Sequence, residues 1–491
     1  MLEKLNQPRT AKALLLMAPL LLYEEWLLCL FLIPIGLWVS FREEIADTLH
    51  KLDARDLLLF LYLFHMLFGE RNFAYVGFEP IFVTELTLGA LLVAWRRELI
   101  DVRTHLMVYY LIVAIGLLWA VAYVGDYRIS ALRDSLMLVY TIWVPVLYLA
   151  FRKRRSYELF FLLLKLFIVL KAVAYVYEAG MIVTGNRSVL MEGFRFNVGY
   201  VVPSAIVISL FLPLRILDWR YKLLSFVMVP AIFTLFHRSI FLGLALAVGF
   251  FFWDGLPRVR KRILGYGTIA MILLGSFLVF YNARVDVDLY RVMEQKFSGD
   301  EGNISYRFLA WERTLESYLD NPILGAGVGR PVMYVQGDQF YDTINMDYFD
   351  IRDLGGNAQP HNSYLHILTR FGLVIVPLLF YALWLPARRI LYLRKRDYGS
   401  SERYYRFLQV AGFYLVMLVF AFFNVVLESP HHAFPFWLSV AMVLAWGRSS
   451  NSLPKRVRLE RRPSGGAEEG PQSIRLQNSN GPNRSGREDA R

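Results

Sequence analysis

Ionisable side chains at the edges of long apolar blocks are the residues of this 491-residue chain best placed to do chemistry. Arg238 follows His237 and stands between apolar blocks at 222–236 and 239–253. Arg307 lies in a stretch from Tyr306 to Leu319 where Phe308, Leu309, Trp311, Leu315 and Leu319 recur at helical spacing, which predicts an apolar helix face. His361 follows Pro360, where a long polar loop gives way to another apolar block, and Pro360 suits a helix start. A guanidinium stays charged and grips anionic oxygens with two parallel hydrogen bonds. A neutral imidazole can take a proton near pH 7. Each residue also has a plainer reading. Arg238 could snorkel to the membrane interface, Arg307 could pair with Asp300 or Glu301 on a solvated face, and His361 could simply open a helix.

Weaker candidates surround these. Arg195, in a loop before the block at 197–214, is a possible third anion contact or a solvated charge. His366 is five residues past His361, so it falls on a different helix face. His431 and His432 with Glu428 could hold a metal, but no HExxH or comparable set supports it, and an interfacial cap is the better reading; no metal or cofactor is expected. The run Gly325-Ala326-Gly327-Val328-Gly329 allows a tight backbone path but lacks the Lys-Ser/Thr ending of a phosphate-binding loop. The single cysteine, Cys29, excludes an intrachain disulfide and a cysteine metal cluster.

The elements that must carry these residues are membrane helices. Apolar residues make up 56% of the chain, mean hydropathy is +0.40, and the apolar residues come in long blocks separated by short charged stretches. A hydrocarbon core about 30 Å thick needs about 20 helical residues, and in lipid each segment must satisfy its own backbone. The alternation of a transmembrane barrel is missing. Twelve spans are read near 56–69, 80–95, 106–124, 130–151, 156–180, 197–214, 222–236, 239–253, 263–282, 361–386, 404–428 and 433–447. Residues 13–40 read as a hairpin or interfacial segment turning at Glu24-Glu25, and 41–55 as an amphipathic surface helix. The fold class is an all-α polytopic bundle of about 12–14 helices.

Lys and Arg stay on the cytoplasmic side. With the twelve spans above, the clusters Arg152 to Arg155, Arg258 to Arg262, Arg388 to Arg396 and Lys455 to Arg462 all fall on that side. The loop at 283–360 is then extracytoplasmic. Its thirteen acids against seven bases, with the other charges dispersed in short loops and the tail, argue against nucleic acid despite the net charge of +12. The domain reading is 1–448 membrane domain, containing the 283–360 loop, and 449–491 a basic cytoplasmic tail too polar to bury a core, whose basic start suits contact with anionic lipid.

Taken in order, His237-Arg238-Ser239, Arg307 with Trp311, Asn321-Pro322-Ile323-Leu324-Gly325-Ala326-Gly327, and His361-Asn362-Ser363-Tyr364-Leu365 with Phe371-Gly372 resemble the O-antigen ligase and polymerase superfamily of bacterial envelope proteins. The resemblance runs from about 197 to 445. It implies an inner-membrane glycosyltransferase with its active site facing the periplasm. The donor would be an undecaprenyl-pyrophosphate-linked glycan, and no metal or nucleotide sugar would be needed. The acceptor would be a growing glycan in a polymerase, towards which the reading leans, or lipid A-core in a ligase. The family's two important arginines fall on Arg238 and Arg307 and its histidine on His361; Arg195 would be an added pyrophosphate contact. Rival readings are a transporter, which would show inverted repeats and paired half-helices, and a non-catalytic envelope assembly protein.

Overall fold

A computed structural model describes residues 53–68, 75–78, 81–153, 156–161, 238–254, 264–265, 301–329, 360–394 and 401–447. The fold is all-α, as the apolar blocks require, and the chain is a helical membrane protein. In chain order the helices are α1 (Ala54–Phe68), α2 (Val83–Ala94), α3 (Arg96–Val102), α4 (Met107–Val139), α5 (Trp143–Phe151), α6 (Arg238–Asp254), α7 (Glu301–Leu319), α8 (Ser363–Phe371), α9 (Val376–Leu393), α10 (Ser401–Phe423) and α11 (Pro430–Ala445). Two short antiparallel strands, β1 (Gly77–Phe78) and β2 (Ile81–Phe82), form a hairpin before α2, with Gly77 opposite Phe82.

Among the described residues three helical segments are long and apolar enough to cross a membrane: Met107–Phe151, Val376–Leu393 and Arg406–Phe423. The first joins the two spans expected at 106–124 and 130–151 into one run of 45 residues. The run bends at Arg128, whose φ of 46° is not helical, in the short polar stretch that separates the two apolar blocks. The span expected at 361–386 is divided. Gly372, with a φ of 65°, ends α8, and the membrane-length helix begins only at Val376. The block at 80–95 yields an apolar helix of 12 residues, Val83–Ala94, too short to cross alone. The expected blocks at 197–214 and 222–236, nearly all of 156–180 and 263–282, the first 52 residues and the tail lie outside the described residues.

Lipid is as apolar as leucine, so close packing and interhelical hydrogen bonds, rather than dehydration, hold such helices together. Both are present. Tyr62 of α1 stacks on Trp143 of α5 with ring centroids 5.2 Å apart, and Phe434 of α11 meets both rings edge-on at 4.7 and 4.8 Å. Trp143 and Trp437 are fully buried. Tyrosine hydroxyls reach across to backbone carbonyls: Tyr109 donates to Ala382 at 2.8 Å and Tyr414 to Leu383 at 2.6 Å, pinning α4 and α10 to α9. Gly243 lets α6 lie against α10. A Cβ there would stand 3.2 Å from the Val416 backbone. That close crossing brings Ser239, at the start of α6, to Asn424, just past the end of α10, whose amide nitrogen donates to the Ser239 hydroxyl at 2.8 Å.

Candidate active site

The site forms where α7, the start of α8 and the end of α10 converge. Ala310 and Thr314 of α7 are fully buried, and the Thr369 hydroxyl of α8 donates to the Thr314 carbonyl at 3.3 Å. The Trp311 indole donates to the Pro360 carbonyl at 2.6 Å, while its rings pack against Phe422 and Phe423. One turn earlier Arg307, half-buried, donates through Nη1 to the Phe423 carbonyl at 3.2 Å. A cation at the C-terminal end of α10 complements the helix dipole there. Arg307 therefore lies in the inter-helix contact rather than on a solvated face.

His361 sits beside it with a φ of 47°, a left-handed conformation uncommon outside glycine and the kind of local strain that clusters at functional sites. The helix itself starts two residues later than Pro360 suggests. Asn362 is the N-cap, its side-chain oxygen accepting from the amides of Tyr364 at 3.1 Å and Leu365 at 3.0 Å. Burial, reinforced by the nearby Arg307 charge and opposed by Glu428, pushes the His361 imidazole down from 6.5 to about 4. The ring is neutral at pH 7 and feels both a guanidinium and a carboxylate.

Behind His361 runs a buried polar chain. Glu428 accepts from the Ser363 hydroxyl at 2.5 Å and meets His366 Nδ1 at 3.0 Å. Arg370 Nε donates to His366 Nε2 at 3.1 Å. An arginine Nε–H can only donate, so Nε2 accepts and the His366 proton sits on Nδ1, facing Glu428. Arg370 Nη2 pairs with Asp134 of α4 at 2.8 Å, and Asp134 also accepts from the Gly329 amide at 2.8 Å. The Ser363 hydroxyl in turn accepts from the amides of Val426 at 2.8 Å and Leu427 at 3.1 Å. Asp134, Arg370, neutral His366 and Glu428 together carry one net negative charge.

The glycine run is part of the same construction. The amides of Ala326 and Gly327 donate to the carbonyls of Thr369 and Arg370, at 2.7 and 3.1 Å, capping the C-terminus of α8. In return the amide of Leu373 donates to Pro322 at 2.9 Å and that of Val374 to Ile323 at 3.3 Å. Gly325 has φ 79°, and a Cβ there would lie 2.5 Å from the Arg370 carbonyl oxygen; a Cβ on Gly372 would overlap the Ile323 carbonyl. Each turn therefore requires the other's glycine. The amides of Gly325, Ala326, Gly327 and Gly329 are all bonded within the protein, so they do not form a phosphate cradle.

Of the residues singled out in the sequence, Arg307 and His361 come together. Arg238 is the first residue of α6, and its neighbour Ser239 binds Asn424, whose carbonyl oxygen lies 3.1 Å from Ser363 Oγ, so the backbone at Arg238 adjoins the same corner. Arg195 and His237 lie outside the described residues. The rings of His431 and His432 lie tilted against each other with centroids 3.8 Å apart, and His432 Nδ1 lies 3.2 Å from Ser429 Oγ where α11 opens. Sequence reasoning missed Glu428 as the partner of α8. The signal was there: Ser363, His366 and Arg370 at i, i+3 and i+7 form a polar stripe on a helix expected to be buried, and a buried stripe of that kind demands partners.

The regions that build this corner meet the test of comparison. Residues 223–380 match the O-antigen ligase family. No curated protein matches the chain. The ligase-family region holds Arg238, Arg307, His361 and the two interlocked glycine turns, so the superfamily resemblance holds for the motifs that carried it. Asp134 and Glu428, which complete the polar chain behind His361, lie outside the matched ligase region, Asp134 on α4 and Glu428 in the turn between α10 and α11.

Proposed function

We propose that the protein transfers a glycan from a polyprenyl pyrophosphate to a sugar hydroxyl at the membrane surface. The observation that carries this reading is the meeting of Arg307 and a half-buried, neutral His361 at the corner of a membrane-helix assembly, within a region matching the O-antigen ligase family. His361 takes the proton of the acceptor hydroxyl as its oxygen attacks the anomeric carbon. The bond from that carbon to the phosphate oxygen breaks, and its electron pair leaves with the pyrophosphate. Arg307 and Arg238 hold the pyrophosphate oxygens and stabilise the charge that grows there; Arg195 is a third contact. Attack opposite the leaving group inverts the anomeric centre.

The charge of Arg307 adds a consequence. In the free protein it weakens His361 as a base. A pyrophosphate bound to Arg307 screens that charge, so donor binding strengthens the base at the moment it is needed. The acceptor is a growing glycan chain in a polymerase or lipid A-core in a ligase, and the same chemistry serves both. Reconstitution in liposomes with a polyprenyl-pyrophosphate-linked repeat unit decides between them. A ladder of lengthening products means polymerisation. A single transfer that requires added lipid A-core means ligation. No product with either acceptor, from folded protein and intact donor, refutes glycan transfer.

A further inference from the structure

Helix α7 has three sides. Ala310 and Thr314 are buried against the protein. Glu312, Arg313 and Glu316 are exposed and polar, with Arg313 and Glu316 paired at 2.9 Å. Between these lies a third side, Phe308, Leu315 and Leu319, spaced by seven and four residues to form one stripe, and its members are 63%, 45% and 63% exposed. This stripe does not end with the helix. Ile323 and Leu324 in the following turn are exposed too, and the backbone of that turn is bonded to Leu373 and Val374. Those residues are exposed and lead directly into the outward face of α9, where Phe380 and Trp384 are exposed on a helix of membrane-spanning length.

The geometry points to α7 as an interfacial helix whose Phe308–Leu315–Leu319 stripe rests among lipid acyl chains at the membrane boundary. A membrane-spanning helix must present an apolar outer face to lipid, and here exposed Ile323 and Leu324, just past the exposed Asp320 and Asn321, carry apolar surface from α7 to that face. A helix with protein, lipid and water on its three sides is the arrangement of an amphipathic helix lying in the interface plane. It sets Arg307 at the level of lipid headgroups. A donor anchored by a polyprenyl chain would then reach the guanidinium by diffusing within the leaflet rather than through water. The inference rests on the chain being a membrane protein and goes beyond the proposed reaction.

Single cysteines at positions 308, 315 and 319, in a Cys29→Ala background, would carry an environment-sensitive fluorophore in protein reconstituted into phosphatidylglycerol/phosphatidylethanolamine vesicles. Arg313→Cys and Glu316→Cys serve as the water-facing references. The stripe positions should be quenched several-fold more by spin-labelled acyl chains than the references, and several-fold less by aqueous iodide. Iodide quenching at 308, 315 and 319 equal to that at 313 would overturn the proposal. So would protection from both quenchers, since a second protein would then cover the stripe. Leu319→Cys, at the open end of the helix, keeps the test alive where Phe308→Cys fails to fold. The readout needs no turnover: a water-exposed stripe on an active enzyme sinks the interfacial helix alone, and a lipid-facing stripe on a protein without transferase activity sinks the reaction alone.

Discussion

The α1–α5–α11 core and the α7–α8 corner are held by opposite means. The first is rings: Tyr62, Trp143 and Phe434 pack edge to face. The second is exchange: two turns trade backbone amides, and a chain of charges runs from Asp134 to Glu428. Apolar packing tolerates substitutions that keep volume. A buried polar chain does not, because removing one partner leaves the next one unsatisfied. The corner can thus hold His361 in a strained backbone conformation, at the cost of intolerance to change.

The largest effect should separate the chemistry from both. His361→Ala is expected to slow transfer by about 10² to 10⁴ while moving the melting temperature little, which reconstituted turnover and a thermal melt on one preparation would check. Next come the means of stabilisation. Asp134→Ala strands Arg370 in the interior and should destabilise by about 3–5 kcal/mol. Phe434→Ala should cost a similar ~3–5 kcal/mol by leaving a cavity. The two differ in rescue. Phe434→Leu should recover most of its loss, whereas Asp134→Leu should recover none of it; equal rescue in chemical denaturation would dissolve the distinction. Gly372→Ala should fall below these, at about 1–2 kcal/mol for the left-handed backbone plus the overlap with Ile323, and should loosen α7 along with α8 in hydrogen exchange.

The smallest expected effect is a shift along the pH axis. His361 titrates near about 4 when folded and 6.5 otherwise, so between those values the unfolded chain binds more protons and stability falls as pH falls through that window. The profile of kcat/KM, which reports the free enzyme, should stay flat well below 6.5 and bend only near about 4. That of kcat should bend at higher pH, because bound pyrophosphate screens Arg307. Coincident limbs would show that the donor does not tune the base.

How much of this was legible in the sequence follows the same division. Apolar blocks gave α6, α10 and α11 to within a few residues of their ends, since the charged or polar stretches that bound an apolar block mark where its helix stops. The interruption near Arg128 was readable as a polar gap between two apolar blocks, though not that the helix runs on through it as a bend, whereas the break at Gly372 interrupts an apolar pattern without a proline and is demanded by the Ile323 carbonyl from a distant turn. The apolar face assigned to α7 is real but points mostly outward, with Trp311 alone of its described members turned into the protein. Motif order put Arg307 and His361 in one site. Glu428 and Asp134 stayed hidden because their partners are 62 and 236 positions away, and only the packing of α8 brings them together.

The most direct test is a double-mutant cycle on the transfer rate, with His361→Ala, Arg307→Lys and the two combined, measured on reconstituted protein with saturating donor. Residues that act in one transition state are not additive. The double variant should therefore be hardly slower than His361→Ala alone. A double variant slowed by the full product of the two single effects would mean that Arg307 and His361 work independently, and the shared site described here would be wrong.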